Sequence, residues 1–143
     1  MDADLDSLRR FFASAPFMVE LGVRPMAVEP GRVRTELTLE RKHLQHTGVA
    51  HAGVLASLAD HSMGAAAQTL APEGHWILTA EFKTNLLRGS RGDKLVCEAW
   101  VLKPGRQIMF TEAEVHAISG EGDEQQRQLV VKASGTMAVT QAK

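Results

Sequence analysis

Hydrophobic and polar positions alternate most cleanly over residues 32–40. Val33, Thr35, Leu37 and Leu39 take one side; Arg32, Arg34, Glu36, Thr38 and Glu40 take the other. A period of two with one apolar side predicts a strand with one buried and one wet face. Residues 23–28 precede it, and Glu29-Pro30-Gly31 between them reads as the turn of a hairpin. Upstream, Leu5, Leu8, Phe11 and Phe12 mark one face of a short helix. Asp6 or Ser7 is placed to cap it, and Pro16 to end it.

The longest helical pattern runs from Gly53 to about Leu70. Val54, Leu55, Leu58, Ala59, Met63, Ala66 and Ala67 are apolar around most of its circumference, which predicts a buried helix. Pro72 and Gly74 close it. Strand patterns follow at about 76–88, 93–103, 106–118 and 127–140. Gly89-Ser90-Arg91-Gly92-Asp93, Pro104-Gly105 and Gly120-Glu121-Gly122-Asp123 separate them. Tight turns between consecutive strands imply an antiparallel sheet, and one long apolar helix must pack on its face. The expected fold class is α+β, a sheet curled round one helix, in one domain over 1–143 with an N-terminal helical segment at 1–16.

Composition narrows the function. Sixteen basic residues face 17 acidic ones, a formal charge of −1, with no Tyr. That leaves no basic surplus or aromatic platform for nucleic acid. A single Cys97 excludes an intrachain disulfide and a Cys-rich zinc site. The acidic start MDADLDSLRR lacks the signal-peptide pattern, and no apolar run approaches the roughly 18 residues of a membrane span. These readings point to a cytoplasmic protein with no membrane partner.

The chemistry concentrates in residues 43–64. A polar loop with Gly48 and Gly53 feeds a helix N-terminus, whose free amides make an oxyanion site. Asp60 lies about two turns further on, inside an apolar helix. A carboxylate there is costly unless it is partnered or functional, and it is placed to serve as a general base. Taken alone, a side chain that reaches an exposed stripe, or pairs with His61 or a nearby Arg, is the competing structural reading. His43, His46, His51 and His61 raise a metal site, but their spacing fits no standard zinc motif. Ser57 and Ser62 lack a nucleophile elbow. Cys97 reads as a small buried hydrophobe. Arg88, Arg91, Lys103 and Arg106 at strand ends could grip phosphates, or be ordinary turn charge.

Gln45-x-x-Gly48-x-x-His51-Ala52-Gly53, followed by Leu58-Ala59-Asp60, resembles the signature of the hotdog-fold acyl-CoA thioesterases of the PaaI-like, phenylacetate-pathway type. Ile77 through Gly89, Lys103-Pro104-Gly105-Arg106 and Phe110 through Val115 resemble that family's next strands and turns, so the likeness spans about 20–140. The resemblance implies hydrolysis of an acyl-CoA, with a medium-chain or aryl acyl group and no cofactor or metal. Asp60 would be nucleophile or general base. The Ala52 amide, with Gly53 beside it, would polarise the carbonyl. Thr79 would hold the attacking water, and Gln45 would orient water or carbonyl. His51, Arg88, Gly89, Arg91, Gly105 and Arg106 would contact substrate or CoA. The site would span a homodimer, itself half of a homotetramer. Two departures stand out: Gln45 replaces an Asn and Ala52 a Gly. Two other classes compete: a non-catalytic acyl-CoA-binding protein on the same fold, and a dehydratase of hydroxyacyl thioesters.

Overall fold

The computed structural model describes residues 1–141. Its first departure from expectation is at the N-terminus. Asp4, rather than Asp6 or Ser7, caps α1 (Leu5–Ala13); its carboxylate accepts the Ser7 backbone N–H at 2.8 Å. Pro16 does not stop helical structure but opens a second helix, α2 (Pro16–Leu21). Proline suits a first helical position, where its missing N–H would be unpaired anyway.

The hairpin of β1 (Arg24–Glu29) and β2 (Arg32–Thr38) forms as the alternation predicts, turning at Gly31 with φ 76°. Then come α3 (Ala52–Gln68), β3 (His75–Leu86), β4 (Lys94–Lys103), β5 (Ile108–Ser119) and β6 (Gln126–Gln141). All pairings are antiparallel, in the order β1-β2-β4-β5-β6-β3. The sheet wraps α3. Leu58, Ala59, Met63, Ala65, Ala66 and Ala67 are fully buried against Val33, Leu37, Leu95, Ala99, Ala113 and Val131. Alanines on the sheet side of α3 let helix and sheet approach closely.

Polar groups fix the register of helix on sheet. The Thr35 and Ser62 hydroxyls bond at 2.8 Å in the core. Gln68 staples the end of α3 to the start of β3, donating to the His75 carbonyl at 2.9 Å and accepting the Ile77 N–H at 3.0 Å. The expectation that α3 is buried nearly all round is corrected here. Its sheet side is buried, whereas Ala56, Ser57, Asp60, His61 and Gly64 are half-buried on the other side.

β3 is an edge strand. Pairing across β6 places Ile77, Thr79, Phe82, Thr84 and Leu86 on the face that looks toward α3. A register shift between Thr79 and Glu81 keeps Phe82 on that face. Phe82 and Leu86 are nevertheless 39% and 49% exposed. A long edge strand with apolar side chains left open is a ready pairing surface. No helix among the described residues is long and apolar enough to cross a membrane.

Candidate active site

The fold brings Asp60 and Thr79 together from 19 residues apart. Thr79 Oγ1 donates to Asp60 Oδ1 at 2.7 Å, and Met137 Sδ lies 3.5 Å from the same hydroxyl. Asp60 is half-buried beside the uncovered side chains of β3. The pair therefore offers a half-buried carboxylate with one oxygen held by a hydroxyl.

The helix start is the second cluster. His51 caps α3, and its Nδ1 accepts the Gly53 N–H at 2.8 Å. That bond places the ring proton on Nε2. The amides of Val54 and Leu55 return to the His51 carbonyl. The Ala52 N–H has no acceptor among the described residues, and Ala52 is exposed. Of the two amides singled out by the sequence, Gly53's is thus occupied and Ala52's is free. Gln45 lies at this end too. Its backbone pairs with Val49 at 2.8 Å, and its side-chain oxygen accepts the Thr47 N–H at 3.3 Å.

The two clusters do not meet within the chain. Ala52 and Asp60 are eight residues apart on one helix, about 12 Å along its axis. A carbonyl carbon and its oxygen are too close together to be reached by both at once.

The expected CoA contacts also separate. The loop after β3 packs against the loop before α3: Ala50 N–H bonds the Ser90 carbonyl at 3.1 Å, and Arg91 reaches the Thr47 carbonyl at 3.5 Å. Arg88, Gly89 and Arg91 therefore stand close to the helix start. Gly105 and Arg106 are in the β4–β5 turn at the other end of the sheet, roughly 30 Å away along ten residues of β4. One protomer cannot bring the two sets together.

The remaining side chains have structural places. His43 is buried, accepting the Glu40 N–H on Nδ1 at 2.9 Å and facing the Leu21 carbonyl with Nε2 at 2.8 Å. Ser57 donates to the Gly53 carbonyl at 2.6 Å. Cys97 is buried beside Thr35 and Ser62, and burial pushes its thiol up to about 12. It is no thiolate at neutral pH. Among the described residues no three His, Cys, Asp or Glu side chains form a metal-like group. The setting of His61 differs from the pairing with Asp60 raised above. Its ring stacks on Phe11 at 5.2 Å and meets Phe12 edge-on at 4.7 Å. Burial lowers its pKa, against the pull of the Asp60 carboxylate, and its Nε2 has no partner. The apolar spacing on α1 was the available clue to that aromatic pair.

Comparison with known proteins agrees with this fold. The family model described as the thioesterase superfamily matches residues 47–123, from the loop before α3 to the β5–β6 turn. A Pseudomonas aeruginosa protein provisionally named an esterase, PA0474, is 33% identical over 100 residues, 69% of either chain. A thioesterase family protein from Silicibacter pomeroyi superposes with a TM-score of 0.90 at 30% identity, over 96% of this chain and 98% of that one. At 20% identity, the E. coli PaaI protein of the phenylacetic acid degradation operon shares the fold, with a TM-score of 0.80 over 96% and 95% of the chains. So does the Haemophilus influenzae thioesterase HI1161, at 0.84 over 99% and 93%. The match over residues 47–123, on a curved six-stranded antiparallel sheet round one long helix, makes the chain a hotdog-fold member of the thioesterase superfamily.

Proposed function

We propose that the protein hydrolyses acyl-CoA thioesters at a site shared between two copies of the chain. The observation that carries the reading is the Thr79–Asp60 pair at 2.7 Å, set about 12 Å from the free Ala52 amide of its own helix. Each half is chemically competent. The two become one site when α3 of one protomer presents its N-terminus to Asp60 of the other. The exposed β3 edge, with Phe82 and Leu86 uncovered, is the surface through which such a dimer forms, and pairs of dimers give the tetramer.

In this site the Ala52 N–H binds the thioester oxygen and stabilises negative charge as the carbonyl becomes tetrahedral. Asp60 takes a proton from water as the water attacks, or attacks the carbonyl itself, in which case C–S cleavage leaves an acyl–aspartyl anhydride that water then hydrolyses to the free acid and the Asp60 carboxylate. Collapse breaks the C–S bond. CoA leaves as thiolate and is protonated, and the acyl group leaves as the free acid. Thr79 holds one carboxylate oxygen so that the other faces the reacting atoms. Gln45, beside the helix start, orients the carbonyl or the water once its loop contact yields. Arg88, Gly89 and Arg91, in the loop packed against the one before α3, hold CoA phosphates. Gly105 and Arg106 reach the same ligand only from another protomer.

Thiol release from a panel of aliphatic and aryl CoA esters tests this, with Asp60→Asn beside the wild type. Turnover that disappears in the variant, with ester binding kept, supports the reading. Ester binding without turnover in the wild type replaces it with a non-catalytic acyl-CoA-binding protein.

A further inference from the structure

The outer face of the sheet, turned away from α3, is divided in two. One part is a ladder of charges. Arg32 lies 3.6 Å from Glu98, Lys94 3.6 Å from Glu36, and Lys132 3.4 Å from Glu112 and 3.2 Å from Glu114. Trp100 stands among them, with the Arg32 guanidinium 5.1 Å and the Lys132 ammonium 4.6 Å from its ring centre. Such a surface is suited to water.

The other part is apolar. Ile77, Met109 and Met137 pack into the core, so their strand neighbours Trp76, Leu78, Ile108, Phe110 and Ala138 point outward. Ile108 stands opposite Ala138, and Ala138 opposite Leu78, which makes one apolar row over β5, β6 and β3. Trp76 and Phe110 flank that row. Val101 also packs on the core, so Leu102 borders the patch from β4. The five large side chains are between 42% and 64% exposed. Among the described residues no cation covers Trp76 as two cover Trp100. The patch opens on the order of 500 Å² to solvent, a size that marks a contact site on a soluble chain.

The chain itself supplies the occupant. The shared site needs both α3 helices on one side of the joined sheets, so a dimer through β3 carries both patches on the other side. Together they offer about 1,000 Å², above the roughly 800 Å² per partner of a standard stable interface, where one patch alone falls short. The patch also suits a copy of itself. It combines an uncovered ring, Trp76, with a hollow of about 440 Å³ lined by Ile108, Phe110 and the β4–β5 turn. Its rim carries Lys103 on one side and Glu81 on the other. A two-fold contact between identical surfaces needs both shapes and both signs on one patch.

We infer that this corner of the outer face joins the β3 dimer to a second copy of that dimer, sheet against sheet, with the α3 sides facing away. The inference rests on the two-chain reading of the site, which sets two patches on one face, and not on turnover.

The test measures solution mass at micromolar concentration for the wild type, Ile108→Glu and Trp76→Arg, with melting curves and thiol release. The wild type should show four times the 15.6 kDa chain mass. Each variant sets like charges against each other across a two-fold contact, so it should fall to half the wild-type mass, stay folded, and keep kcat at saturating ester within about twofold. Either variant serves alone if the other does not fold. Variants that stay at the wild-type mass overturn the inference. Monomeric variants also overturn it, because the patch would then belong to the β3 contact. A wild type of dimer mass overturns it too; if that dimer binds vesicles of phosphatidylcholine and phosphatidylglycerol, the patch meets lipid instead. A wild type that turns over no ester, with variants that still fall from four chains to two, removes the thioesterase reading and leaves this inference standing.

Discussion

Ala52→Pro removes a single backbone proton and little else. Ala52 is the first residue of α3, and its N–H has no acceptor among the described residues, so the substitution breaks no hydrogen bond. Proline is favoured at that position. The residue before a proline must be extended, and His51 already is, at φ −63° and ψ 139°. Stability should hold or rise by about 0.4–1 kcal/mol, because the unfolded chain loses freedom. Catalysis should not hold. Loss of one oxyanion donor costs about 2.7–4 kcal/mol in the transition state, or roughly 10²–10³ in kcat. The assay is thiol release on the best ester, with a melting curve on the same sample. Ala52→Val, which keeps the N–H and adds comparable bulk, controls for crowding and should stay within about tenfold of wild type. Wild-type kcat in a folded Ala52→Pro protein would refute the amide's role, and so would equal losses in the two variants.

Other outcomes follow from the same contacts. Light scattering at micromolar concentration should give at least twice the 15.6 kDa chain mass, and a monomer would sink the shared site. Burial holds His61 and His116 below the ordinary value of 6.5, so both stay neutral in the fold where the unfolded chain takes up protons. Their contribution to stability is therefore full above about pH 6.5 and is lost as pH falls through their lowered values. Melting temperature should drop over that window, and drop less steeply in His61→Phe, which keeps the contacts to Phe11 and Phe12 and deletes an unpartnered buried nitrogen. An unaltered pH slope in that variant would remove His61 from the account.

Much of the fold was legible because strands and turns carry local signals. The alternation at 32–40 marked β2 and its buried face, and the Gly- and Pro-bearing breaks located the β1–β2, β4–β5 and β5–β6 hairpins; the break at 89–93, which reads as a hairpin turn, instead carries the chain across the sheet, because β3 pairs with β6 and β4 with β2 and β5. Pro16 misled because proline both ends helices and begins them, and only the next turn's packing decides which. The open side of α3 was hidden because Ala, Gly and Ser sit equally well against a sheet or at the floor of a groove. Asp60 and the helix start stood out in the sequence. The Thr79 partnership is 19 residues distant, and it came from the family resemblance rather than from any spacing. Arg88 and Arg106 both looked like turn charges fit for phosphates. They occupy successive turns of an antiparallel sheet, which lie at opposite ends, so strand counting alone could have parted them.

The shared site is tested most directly by mixing two inactive proteins. Asp60→Asn subunits keep the Ala52 amide, and Ala52→Pro subunits keep Asp60. If each site takes one group from each protomer, a mixed dimer of a two-fold assembly contains one intact site and one doubly damaged site. Unfolding and refolding the two together at equal concentration should restore about a quarter of wild-type turnover from components that have almost none. A mixture no more active than the average of its components would contradict a site built from two chains.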